Sequence, residues 1–215
     1  NDMTTGAQPS DTYYGDMNNV GLPDWTDTIT ITNFNGVTVR VYKYHNVPGD
    51  GKFDQIFPPD GELEIEVGRV DCSDMPVFKL PETELLRRYL KKNHDFRHKK
   101  SIPNKRTLIR DGWLTYYPVV DIDRNYASMV GITNTVTSSY IPVLGHSDDA
   151  VSSYLWAYGG GGGSPQGMVG VATSTDYANN RMNAVFTMGY GSYWHDWDVT
   201  DSFFRAPLAG DGAGL

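Results

Sequence analysis

Residues 27–44, DTITITNFNGVTVRVYKY, constrain the fold more tightly than any other stretch of the chain. Thr28, Thr30 and Thr32 alternate with Ile29 and Ile31. Val37, Val39 and Val41 then alternate with Thr38, Arg40 and Tyr42. A period of two sends one set of side chains to a core and the other to solvent, which suits a strand and not a helix. Asn35-Gly36 lies between the two runs, and Asn-Gly readily takes the positive φ of a tight turn. The stretch predicts a β-hairpin.

The rest of the chain repeats the theme. GELEIEV (61–67) sets Leu63, Ile65 and Val67 against Glu62, Glu64 and Glu66. Short runs at 106–110, 112–120, 132–143, 151–158, 167–174, 182–190 and 193–199 are rich in β-branched and aromatic residues and are separated by turn formers. Gly159–Gly163, followed by Ser164-Pro165, reads as a flexible connector. One helix is expected, over 81–93. Pro81 suits a first turn, and Glu82 and Glu84 favour the positive end of the dipole. Leu85, Leu86, Tyr89 and Leu90 form its apolar stripe, with Arg87, Arg88, Lys91 and Lys92 opposite. Residues 94–106 read as a mobile basic loop.

These readings add up to an all-β chain, an antiparallel β-sandwich of jelly-roll type with one helix in a long loop. An extended arm, 1–26, is pinned by Tyr13, Tyr14 and Trp25. The sandwich covers 27–205 and carries a basic helix-loop insertion at 81–110. A tail, 206–215, runs along a surface. The length of 215 residues suits one large domain.

Charge is distributed unevenly. Of 18 Lys and Arg, ten lie in 87–110: Arg87, Arg88, Lys91, Lys92, Arg97, Lys99, Lys100, Lys105, Arg106 and Arg110. Asp95 is the one acid there, so the segment carries +9 while the remaining residues carry −17, for a net −8. A net acidic chain does not coat nucleic acid with its whole surface. The basic belt is another matter. Ten cations repel one another unless something negative lies close, either nucleic-acid phosphate or an acidic neighbouring subunit. The blander alternative is a solvated loop balanced by carboxylates such as Glu62, Glu64 and Glu66. Cys72 is the lone cysteine, which excludes an intrachain disulfide. No apolar run is long enough to span a membrane, and no signal peptide is visible. The chain starts at Asn1 rather than Met, as a cleavage product or a trimmed chain would, and a basic or disordered arm could precede it.

Enzyme and metal motifs fail on their details. GGGGGSP lacks the Lys-Ser/Thr of a phosphate loop. Asp121 and Asp123 resemble the first ligands of a calcium loop, but Tyr126 and Ile132 stand where Gly and Glu are needed. His94 and His98 have the spacing of a zinc pair, without a third ligand and amid cations. His146-Ser147-Asp148-Asp149 and His195-Asp196 offer catalytic residue types without a nucleophile elbow. No cofactor is expected, and no catalytic residue. Tyr193, Trp194 and Trp197, with Phe203 and Phe204 nearby, are either a sugar-stacking platform or core and interface.

In outline the chain resembles the single jelly-roll coat proteins of small icosahedral viruses. The features that carry this are the aromatic-pinned arm, the hairpin TITITNFNGVTVRVYKY, the alternation of strands and Thr/Asn/Gly/Pro-rich loops, and the tail APLAGDGAGL. The resemblance implies a structural protein of the virion that self-assembles with other capsid subunits. Its belt would face packaged viral nucleic acid or a neighbour. The alternative is a carbohydrate-binding β-sandwich module.

Overall fold

The computed structural model describes residues 11–15, 31–32, 38–39, 64–112, 122–137, 153–193 and 196–215. The chain divides into two compact units, Met3–Arg69 and Val70–Leu215.

In the first unit, β1 (Ile31–Thr32) and β2 (Thr38–Val39) pair antiparallel, with Ile31 opposite Val39 and Thr32 opposite Thr38. That is the pairing the alternation predicts; the Asn35-Gly36 turn lies outside the described residues. Within the expected arm, Thr12–Gly15 form one helical turn, α1, on which Tyr14 is exposed. Trp25 lies outside the described residues. The Gly15 carbonyl accepts the amides of Glu64 and Ile65 at 3.1 Å, and Arg69 Nε donates to Asp11 Oδ2 at 2.7 Å. Glu64–Val67 is not a strand, and Ile65 and Val67 are exposed rather than inward. Their alternation finds no sheet to use it.

The second unit is mixed α/β, which overturns the jelly-roll sandwich. Its main sheet runs in the order β4–β3–β5–β9, with every neighbouring pair parallel. The strands are β3 (Thr107–Asp111), β4 (Thr135–Thr137), β5 (Tyr154–Gly160) and β9 (Ala184–Tyr190). Parallel neighbours need a crossover, and helix α3 (Ile122–Val130) carries the chain from β3 to β4. Sequence reading placed a turn there. Ile122, Tyr126 and Val130 nevertheless stand at i, i+4 and i+8, and Tyr126 and Val130 are buried. A small antiparallel sheet, β6 (Gly163–Ser164), β7 (Gly167–Met168) and β8 (Ala172–Thr173), follows β5.

The strand expected at 167–174 is therefore two short strands and the start of α4 (Ser174–Asn179). Thr173 and Asp176 form the capping box that opens this helix: the Asp176 amide donates to Thr173 Oγ1, and the Thr173 amide to Asp176 Oδ2. The expected connector Gly159–Gly163 is built in as well. Gly159 and Gly160 belong to β5, and a Cβ on Gly163 would fall 1.9 Å from the Ser192 carbonyl oxygen. Residues 197–199 make a turn and a bend where a strand over 193–199 was expected.

The sheet separates two apolar clusters. Leu108 and Ala157 face the larger one, with Leu85 of α2 (Glu82–Arg97), Phe78, Tyr177 and Phe203. Ile109 and Tyr158 face the smaller one, with Tyr126 of α3 and the partly buried Ile122 and Trp156. The tail is part of the fold rather than a surface strap. α5 (Ala206–Ala209) buries Ala206, Pro207 and Ala209, and residues 211–215 then run beside the start of β9. There the Ala213 amide donates to the Met182 carbonyl at 3.0 Å and the Leu215 amide to that of Val185 at 2.7 Å. Arg205 is buried, and its guanidinium donates to Asp71 Oδ1 and to the Ser73 and Val199 carbonyls. Burial alone would raise the Asp71 carboxyl, but the hydrogen bonds from Ser73 and Arg205 outweigh it and hold it below the usual range. No helix among the described residues is long and apolar enough to cross a membrane.

Candidate functional site

Helix α2 carries most of the belt. It begins after Pro81, which holds an extended conformation, and has Glu82 and Glu84 in its first turn and His94 and Arg97 in its last. Opposite charges thus sit at the ends where the helix dipole favours them. The helix continues to Arg97, so HDFR is helical rather than part of a loop.

Its orientation differs from the expected one. Leu85 is 1% exposed, but Leu86 is 38% and Leu90 55% exposed. The inward face is Leu85, Arg88, Tyr89, Lys92 and Phe96, spaced i, i+3, i+4, i+7 and i+11. On a wheel of 3.6 residues per turn this face is rotated by roughly 70° from the expected stripe of Leu85, Leu86, Tyr89 and Leu90. The cause lies in α5. A helix C-terminus leaves carbonyls without intrahelical donors. Lys92 Nζ donates to the Leu208 and Gly210 carbonyls, both at 2.9 Å, and Arg88 Nη1 to that of Ala209 at 3.3 Å. Burial, helped by the nearby Arg88 charge, lowers the Lys92 ammonium from 10.5 to about 8.

The outward face keeps Arg87, Lys91 and Arg97, and the following loop adds Lys99, Lys100 and Lys105, all exposed. Arg87 pairs with Glu84 and Lys91 with Asp95, one helical turn away in each case. Lys100 lies 3.9 Å from the same Asp95, and Arg97 Nε donates to Asn93 at 2.8 Å. The hydrogen bond from Lys91, together with the charges of Lys91 and Lys100, holds the Asp95 carboxyl below its usual range. Lys99 and Lys105 make no ion pair among the described residues. Exposed pairs of this kind are worth at most about 1 kcal/mol, so a polyanion could displace them at little cost.

The remaining belt cations serve the sheet. The Arg106 guanidinium lies over the Tyr154 ring at 5.1 Å, and Arg110 Nε donates to the Gly170 carbonyl at 2.9 Å. The ten cations thus do not form one surface. Arg88, Lys92, Arg106 and Arg110 turn to the protein, and six face outward.

The other candidates gain little. Asp123 sits in the first turn of α3 and Asp121 outside the described residues. The His94 and His98 rings stack with centroids 4.2 Å apart, and Lys100 Nζ comes within 3.4 Å of His94 Nε2. Among the described residues no three His, Cys, Asp or Glu side chains converge as metal ligands would. Tyr193 and Trp197 are half-buried, Phe203 is core and Phe204 is exposed; Trp194, His195 and His146–Asp149 lie outside the described residues. Sequence reasoning missed the inward role of Arg88 and Lys92. The Pro-containing APLA run, which opens a short helix whose last carbonyls need donors, was the available signal. Comparison with protein-family models, with curated proteins and with solved structures finds no match for this chain.

Proposed function

We propose that the protein is a non-catalytic assembly subunit, in the manner of a viral coat protein, that holds nucleic acid against the outward face of α2 and the loop behind it. One observation carries the reading. Arg87, Lys91, Arg97, Lys99, Lys100 and Lys105 are all exposed on a net acidic chain, and among the described residues the acids that pair with them are Glu84 and Asp95. The residues outside 87–110 carry a net −17, so a patch of cations here would orient the subunit on a polyanion as well as attracting it. Leu86, Leu90 and Ile102 are exposed in the same segment and offer apolar surface to unpaired bases. The jelly roll is no part of the proposal.

Fluorescence anisotropy of a labelled single-stranded oligonucleotide tests the contact. Six phosphate contacts give a slope of log affinity against log salt of about −4. Replacing Arg87, Lys91, Lys99 and Lys105 by Gln reduces that slope by about three units. Absence of binding at low salt, or a slope that these changes leave unmoved, overturns the nucleic-acid contact. Electron microscopy of nuclease-treated and untreated protein tests the assembly. Closed particles with protected nucleic acid support it, and monomers under all conditions remove it.

A further inference from the structure

The order of the main sheet reverses once. From β3 the chain crosses to β4 on one side, and the next two strands, β5 and β9, add on the other. In open parallel sheets, ligands settle in the crevice outside the carboxyl ends of the strands where the order reverses. Here that point lies between the ends of β3 and β5. Asp111 is level with Gly160, Gly160 with Tyr190, and the Gly112 amide donates to the Gly160 carbonyl at 2.7 Å, so three strands end together.

A groove of about 480 Å³ opens beside this point. Arg110, which shares its side of β3 with Leu108, forms one wall. Met168, Val171 and Ala172, all buried side chains of the larger core, form the apolar floor. The Val169-Gly170 turn makes the lip, with Val169 76% exposed and the Gly170 carbonyl holding Arg110 Nε. The glycine run permits this arrangement: a Cβ on Gly161 would lie 2.8 Å from the Val169 carbonyl oxygen and drive the lip away. Asp176 also faces the groove, with Oδ2 engaged by Thr173. The site thus combines a fixed guanidinium, an apolar floor and a carboxylate acceptor, the few converging polar groups on apolar walls that mark a small-molecule site.

We infer that this groove binds a small organic anion: a phosphate or carboxylate on Arg110, a planar apolar body on Met168 and Val171, and a hydroxyl or amino donor toward Asp176. The site is independent of the nucleic-acid face of α2, which lies on other residues.

Titration followed by NMR, with adenosine 5′-monophosphate, N-acetylphenylalanine and inorganic phosphate as separate probes, tests it. Saturable shifts at Met168–Thr173 with the nucleotide alone assign a phosphate ligand; shifts with the amino acid alone assign a carboxylate. Arg110→Gln weakens the bound probe roughly ten-fold or more, the loss of one charge-assisted pair. Val169→Trp, at an exposed lip position, blocks the groove without touching the core and abolishes binding. The inference fails if neither organic probe shifts these residues, if inorganic phosphate binds as tightly as the nucleotide, or if binding survives Val169→Trp.

Discussion

On one side of α2, Arg88 and Lys92 give their donors to the carbonyls of Leu208, Ala209 and Gly210 at the end of α5. On the other, Arg87 and Lys91, each one residue away, meet acids that a change of salt would loosen. All four are of one chemical kind and lie within six residues. The inner pair is structure and the outer pair is available surface. A cation's role is set by what acceptors reach it, and the inner acceptors belong to chain 116 to 121 residues further on.

The sharpest way to break this comparison uses the leucines. Leu85→Ala empties a fully buried position and should cost about 2–5 kcal/mol in urea denaturation. Leu86→Ala, on the outward face, should cost under about 1 kcal/mol. Equal costs would return α2 to the orientation expected from its sequence.

Truncating the lysines comes next. Lys92→Ala leaves two carbonyls without their donor and should cost about 1–3 kcal/mol. Lys91→Ala should stay within about 0.5 kcal/mol while weakening oligonucleotide binding. A destabilised Lys91→Ala, or an unaffected Lys92→Ala, would reverse the assignment of the two faces.

The remaining effect is in pH. The Lys92 ammonium titrates near 8 when folded and near 10.5 when exposed. Between those values the unfolded chain binds more protons, so this group's contribution to stability rises with pH. Measured against Lys92→Met, wild-type protein should gain stability from pH 7.5 to pH 10. A constant difference would mean that Lys92 is not held as the structure has it.

Much of the local structure was legible in the sequence. The β1–β2 pairing, the start of α2 after Pro81, and strands close to β3, β5 and β9 all follow from periodicity, turn formers and charge at helix ends. The crossover helix α3 was legible in principle through Ile122, Tyr126 and Val130, but its polar first turn resembled a calcium loop. The groove at Arg110 was not legible, because its wall and floor come from β3 and from the β7–β8 turn some 60 residues apart.

The sequence by itself determined the β1–β2 pairing, the start of α2, strands close to β3, β5 and β9, and that positive charge gathers in 87–110. It could do so because propensity, capping and alternation act over a few residues. The tertiary structure decided that the second unit's main sheet is parallel, which face of α2 turns inward, and which cations remain outside. A strand of apolar and aromatic residues suits a parallel or an antiparallel neighbour, so direction is settled by the crossover that joins them. A helix with leucines and cations on adjoining arcs can turn either inward, and the unsatisfied carbonyls of a distant segment, Leu208–Gly210, settle which.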